Sequence, residues 1–207
     1  TDIFTGVYAA TAILAALVQR GRTGEGQHID MALLDVATSV MANQAMNYLA
    51  SGKAPGLMGN AHPNLAPYAV FDCKDGWLIL ATGNDGQYQR LCKILGLEAM
   101  ASDPRFLTNA DRIANRAEMT GRLTAATRTW AKVDLLAACE AEGVPAGPIN
   151  DLAEVFADPQ VVARGMQIAP DGMKGVRSPM RFSGAELALD RPAPRLGQHQ
   201  DDVLGKL

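Results

Sequence analysis

The sequence predicts a mixed α/β fold, an α+β small domain flanked by long helices. Three observations carry that expectation. The chain opens on apolar helical periodicity punctuated by glycine. Residues 68–82 alternate β-rich runs around a Lys74-Asp75-Gly76 turn. Helical patterns then return and give way to short β-rich runs. The order of helices, hairpin, helices and short strands places an α/β module over residues 67–185, with helical segments at both ends that want a partner surface.

Taken in order, Asp2 reads as the N-cap of a helix over residues 3–20 that Gly21 stops. Its Ala-rich, nearly all-round apolar surface predicts burial on several sides. Residues 22–26 read as a loop, 27–31 as a short strand and 33–49 as a second helix. The Gly/Pro/Asn-rich stretch 51–66 reads as a hinge or domain junction. The hairpin pairs 68–73 with 78–82. Gly83-Asn84-Asp85-Gly86 opens a helix over 87–95 that Gly96 closes, with Asp85 a candidate N-cap. Helices follow over 111–126 and 133–142, the second closed by Gly143, and 144–149 is extended between prolines. Asp151 caps a helix to residue 157, and Asp158-Pro159 starts another turn. Residues 166–169 and 177–182 read as strands around Asp171-Gly172. Pro192-Ala193-Pro194 reads as a stiff tether, and a final helix begins at Gly197. Trp77 and Trp130 read as core residues.

Composition narrows the function. The 207 residues carry a net charge of −3 with scattered Lys and Arg, which gives no nucleic-acid footprint. The three cysteines, Cys73, Cys92 and Cys139, are odd in number and far apart, and the histidines are dispersed. That pattern predicts a reducing, cytoplasmic compartment with no disulfide framework and no metal. No signal peptide is visible, and the apolar run 7–18 reads as too short to span a bilayer, so no membrane partner is expected. The first residue is Thr1, which reads as a processed or truncated chain or a piece of a longer one.

Several short motifs occur in a fixed order. Asp2-Ile3-Phe4-Thr5-Gly6 has the form D-x-x-T-G, and Arg22-Thr23-Gly24-Glu25-Gly26-Gln27 the form R-T-G-x-G-Q. Gly59-Asn60-Ala61-His62 and Pro67-Tyr68 follow, then Asp75-Gly76 with Gly83-Asn84. Gly143-Val144-Pro145-Ala146-Gly147-Pro148-Ile149 and Leu196-Gly197-Gln198-His199 complete the set. Together they resemble the class III coenzyme A transferases, the CaiB/BaiF family, over essentially the whole chain. The resemblance implies a fold whose Rossmann-like large domain is built from both chain ends and is mostly missing here. Residues 1–66 would follow the catalytic Asp within the large domain and linker, 67–185 would form the small α/β domain, and 186–207 would return to the large domain. It also implies an interlocked homodimer, and a missing N-terminal half that makes most coenzyme A contacts.

The implied chemistry moves coenzyme A from an acyl-CoA thioester to a small free carboxylic acid, with the thioester as substrate and no cofactor. Asp2 would be the nucleophile, forming an aspartyl anhydride and then an aspartyl-CoA thioester. A carboxylate at a helix start suits this, because the helix dipole and free amides favour an anion there. Thr5 and Gly6 would let a helix pack closely beside it. His62 and Asn64, in the stretch His62-Pro63-Asn64-Leu65-Ala66 where some members carry a glycine-rich lid, and Asp85 are the candidate substrate-binding residues. The look is closest to members that use succinyl-CoA with a dicarboxylic acceptor. Gly24-x-Gly26 precedes the expected strand rather than opening a helix and lacks Lys-Ser/Thr, so a tight turn is its reading over a phosphate loop. Arg164, Arg177 and Arg181 could meet anions, solvated surface arginines being the commoner case. Two alternatives stand beside the transferase. One is an acyl-CoA racemase on the same scaffold, moving an α-proton. The other is a non-enzymatic folding and dimerisation module.

Overall fold

The computed structural model describes residues 1–206. The chain divides into two compact units, one of residues 1–64 and one from residue 65 onward.

The first unit is helical. Helix α1 spans Asp2–Thr23, α2 Leu33–Ser39 and α3 Ala42–Ser51. Thr1 occupies the N-cap of α1 without a side-chain cap bond, so Asp2 is the first helical residue and not the cap. Gly21 does not end the helix. Glycine stops a helix when it takes the left-handed conformation, and it is Gly24 that does so (φ 80°), its N–H donating to Arg20 O at 2.8 Å. Arg20 and Arg22 in the last turn complement the macrodipole, as Asp2 does at the head. None of the α1 side chains is buried. The apolar run extends beyond residues 7–18: α1 is 22 residues and contains an 18-residue window with a mean hydropathy of 1.5, long and apolar enough to cross a membrane by length and composition.

Residues 27–31 form no strand, since a strand needs a neighbour for its backbone groups and none among the described residues pairs with them. The helix expected over 33–49 is broken. Met41 N–H bonds Thr38 O in a tighter turn, and Ala42 takes φ 46°, which redirects the axis into α3. Val36 is the one residue of α2 that is buried.

The second unit holds the core. Strands β1 (Tyr68–Cys73), β2 (Gly76–Ala81) and β3 (Ala146–Ile149) form an antiparallel sheet in the order β1-β2-β3. The hairpin closes with Cys73 opposite Gly76 around Lys74-Asp75, and Gly76 needs the positive φ of 149° that a side chain would resist. Asp75 accepts from Lys132 N–H at 2.7 Å, and Lys74 N–H donates to Trp130 O at 3.0 Å, so the turn is docked. Phe71, Leu78 and Leu80 point inward. Trp77 corrects its reading as core: the strand period of two turns it to the opposite face, where it is 55% exposed, while Trp130 packs on the core.

Helices α4 (Asp85–Ile94), α5 (Glu98–Ala101), α6 (Asn109–Ala114), α7 (Arg116–Thr127) and α8 (Lys132–Ala141) build the rest of this core. Tyr88, Leu91, Phe106, Leu123 and Leu135 are fully buried against the sheet residues. The four-residue α5 had no periodicity to betray it. The helix expected over 111–126 starts earlier and splits. Thr108 and Asp111 form a reciprocal capping box that sets the start at Asn109, and Asn115 both ends α6 and begins α7. Asn84, not Asp85, caps α4, accepting from Gln87 N–H at 2.9 Å. Asp151 caps α9 (Leu152–Ala157) through a second capping box, and Asp158 caps α10 (Pro159–Ala163).

The C-terminal strands are shorter than expected. Strand β4 is Gln167–Ile168 and β5 is Gly175–Val176, joined through a 3₁₀ turn at Pro170–Gly172. Residues 177–182 leave the ladder because Pro179 has no N–H to give it. Helix α11 covers only Gln200–Leu204.

Asp103 offers a pH test of this unit. Arg105 donates to it from the guanidinium at 3.0 and 2.6 Å and from the backbone N–H at 3.0 Å, which lowers its pKa from 3.8 to about 2. A depressed carboxylate stabilises the fold above the unfolded value, and that contribution fades as pH falls from 3.8 toward about 2. Carboxyl-carbon NMR should show Asp103 titrating near 2, and Arg105→Ala should return it toward 3.8. Titration at 3.8 in the unmodified protein would refute the pairing.

Candidate functional site

Asp2, His62 and Asn64 lie in the first unit and Asp85 in the second. Asp2 sits exposed in the first turn of α1, where the amides that have no intrahelical acceptor point toward the helix head. The turn is pinned by Thr5, whose N–H and Oγ1 both bond Thr1 O, at 2.9 and 3.1 Å. A Cβ built on Gly6 would meet nothing within 4 Å among the described residues, so no close helix contact in this unit calls for the glycine.

His62 and Asn64 come together. The His62 Nδ1 accepts from Asn64 N–H at 3.1 Å, which puts the proton of the neutral ring on Nε2. The Asn64 side chain exchanges two hydrogen bonds with Asn47 of α3, accepting at Oδ1 at 3.0 Å and donating from Nδ2 at 3.1 Å. The stretch 62–64 is thus tied to a helix by side-chain amides.

Asp85 opens α4, and its half-exposed carboxylate accepts from Arg112 Nη2 at 2.7 Å. Arg112 is the residue the sequence reading missed. It is 1% exposed, yet each nitrogen of its guanidinium donates a hydrogen bond. Nε donates to Ala66 O at 2.6 Å, and Nη1 to Phe106 O at 3.1 Å and Leu107 O at 3.0 Å. Its carbon lies 4.5 Å from the centre of the Tyr88 ring, a cation–π distance. Nothing in the run Asn109-Ala110-Asp111-Arg112-Ile113-Ala114 marks it, since an exposed arginine reads the same.

The thiols stay protonated. Burial pushes Cys139 up to about 11 and raises Cys92 and Cys73 as well. Among the described residues no three His, Cys, Asp or Glu side chains gather as a metal site. Of the candidate residues, the two carboxylates stand at a helix head in one unit and against a buried guanidinium in the other.

Comparison with known proteins agrees with that architecture. A mixed α/β chain with an aspartate heading a long helix matches the model of CoA-transferase family III over residues 1–200. The chain belongs to that family. It is 55% identical over 211 residues to a succinate–glutarate CoA-transferase of Agrobacterium fabrum, covering 100% of this chain and 53% of that protein. It is 37% identical over 209 residues to the succinyl-CoA:glutarate CoA-transferase of Mus musculus, covering 99% and 48%. Among solved structures it resembles a CaiB/BaiF family protein from Brucella suis, with a TM-score of 0.83, 55% identity and coverage of 99% of this chain and 54% of that one. The chain thus spans about half the length of the curated relatives it matches.

Proposed function

We propose that this chain serves a coenzyme A transferase that moves coenzyme A from an acyl-CoA thioester to a free carboxylic acid, with dicarboxylic acids such as succinate and glutarate as the substrate class. The 55% identity to a succinate–glutarate transferase across the whole chain carries the reading. The exposed Asp2 at the head of α1 supports it.

In this mechanism the Asp2 carboxylate attacks the thioester carbonyl, the C–S bond breaks, and a mixed anhydride and coenzyme A thiolate form. The thiolate attacks the Asp2 side of the anhydride and releases the donor acid, leaving an aspartyl-CoA thioester. The acceptor carboxylate then attacks that thioester, freeing the thiolate again. Attack of the thiolate on the acceptor side yields the new thioester and restores Asp2. The first-turn amides of α1 favour the anion before and after each step. His62, Asn64 and Asp85 contact substrate in this proposal, His62 through the Nε2–H left by its Nδ1 bond.

We further propose that the protein acts as an interlocked homodimer in the cytoplasm, without nucleic acid or membrane. In that arrangement residues 1–66 and 186–207 belong to a large domain and 67–185 to a small one. The three reduced cysteines support the compartment, and the apolar faces of α1 support enclosure by protein.

The test is adduct mapping. The intact protein incubated with succinyl-CoA should yield an acyl or coenzyme A adduct on the peptide bearing Asp2, read by mass spectrometry and absent in Asp2→Ala. An unmodified Asp2 in folded protein that still transfers coenzyme A would reject the mechanism.

A further inference from the structure

Arg164, Arg177 and Arg181, scattered in sequence, are gathered in space at the C-terminal side of the second unit. Arg164 caps α10, and Arg177 leaves β5 with its backbone N–H bonded to Met166 O at 2.8 Å. Arg181 donates from Nη2 to the Arg164 carbonyl. The charge of Arg177, then loss of solvent, then the charge of Arg164 lower the Arg181 pKa. None of the three has a carboxylate within 4.0 Å among the described residues, where Arg105, Arg112, Arg122 and Arg128 all do.

Two further observations separate this cluster from solvated surface arginines. The Arg177 Nε is buried and has no acceptor. A fully solvated arginine would give that donor to water, and buried donors are nearly always satisfied. Beside it lies a cavity of about 450 Å³ lined by Arg177, Arg181, Phe182, Ala185, Glu186 and Leu187. Guanidinium forks at its wall match the paired oxygens of phosphate and carboxylate, and Phe182, Ala185 and Leu187 suit a short apolar body. Arg177 and Arg181 face one anion in the lining, Glu186, and Arg164 stands behind Arg181 as a third cation outside the lining, a surplus of positive charge that suits an anionic ligand.

We propose that this cavity binds a compact dianionic oxyanion, a phosphate group or a dicarboxylate, held by Arg177 and Arg181 with Arg164 adding charge. The proposal does not rest on Asp2 or on turnover. Its test is binding.

Inorganic phosphate and glutarate are titrated separately into the intact protein at low ionic strength by calorimetry, and phenylglyoxal modification of each arginine is followed by peptide mass spectrometry with and without the anion. One of the two anions should bind and slow modification of Arg177 and Arg181, while Arg128, paired with Asp72, reacts unchanged. Arg177→Gln and Arg181→Gln should each weaken binding by about tenfold or more, and Arg177→Lys by less, because it keeps the charge but loses the fork. Protection by phosphate alone assigns a phosphate-type ligand, and protection by glutarate alone a dicarboxylate. Absence of protection by both, or affinity unchanged in both glutamine variants, overturns the site. If a variant misfolds by circular dichroism, the protection pattern in the unmodified protein decides.

Discussion

On the proposed mechanism, Asp2→Asn should remove transfer of coenzyme A from succinyl-CoA to glutarate while leaving the fold intact. An amide of the same shape cannot attack a thioester carbonyl, so both the anhydride and the aspartyl thioester are lost. Loss of a covalent nucleophile lowers kcat by about 10⁴-fold or more. The structural effect is small by comparison: Asp2 is exposed, makes no cap bond, and stabilises α1 only through the dipole, about 0.3–1 kcal/mol. Asp2→Glu separates position from charge. It keeps the carboxylate but moves it by about 1 Å, a displacement that costs about 10²-fold. Chromatographic assay of the product thioester, beside a thermal melt, checks all three proteins. Turnover of Asp2→Asn within tenfold of the unmodified enzyme would end the nucleophile assignment.

Arg112→Leu should give the largest loss of stability of any single substitution considered. Leucine fills part of the volume over Tyr88 but leaves the carbonyls of Ala66, Phe106 and Leu107 without the donor that reaches them at 2.6–3.1 Å. Breaking a buried charged network by removing one partner costs about 3–5 kcal/mol. Arg112→Lys should recover only part of this, because a point ammonium cannot span acceptors on opposite sides of a guanidinium. Asp85→Ala should cost less, about 1–2 kcal/mol, since Asp85 is half exposed and water replaces part of the pairing. Urea unfolding of the intact protein, followed by tryptophan fluorescence, ranks the three. An Arg112→Leu midpoint equal to that of Asp85→Ala would show that the guanidinium is not the hub the geometry describes.

The pairing also bears on Asp85 as a substrate contact. One oxygen of its half-exposed carboxylate is held at 2.7 Å by the buried Arg112 guanidinium. From sequence alone Asp85 fits either the cap of α4 or a substrate contact, and neither Arg112 nor Asn84 stands out in its role. Capping is a local competition, and Asn84 wins it because its side chain reaches Gln87 N–H. The Arg112 contacts lie 27 and 46 residues away in the chain, beyond any local pattern.

The same division runs through the rest of the molecule. The hairpin, the Gly96 and Gly143 stops, and the Asp151 and Asp158 caps were legible because each is decided within a few residues, by turn chemistry or one side-chain bond. So were the mixed α/β class and the ordered motifs that carry the family. Errors came where neighbours decide. Residues 27–31 had strand composition but no strand beside them, and Trp77 had core composition on the outer face of the sheet. The helix over 33–49 carried an apolar period straight through the break at Ala42. His62 and Asn64 were named one by one, and only folding joined them to each other and to Asn47. By itself the sequence determined the mixed α/β class, the hairpin, the glycine stops and the carboxylate at the head of α1, since those follow from short-range sterics and hydrogen bonding. The burial of Arg112 and the gathering of Arg164, Arg177 and Arg181 were decided only by tertiary structure, because burial and charge convergence depend on which distant segments close around a side chain.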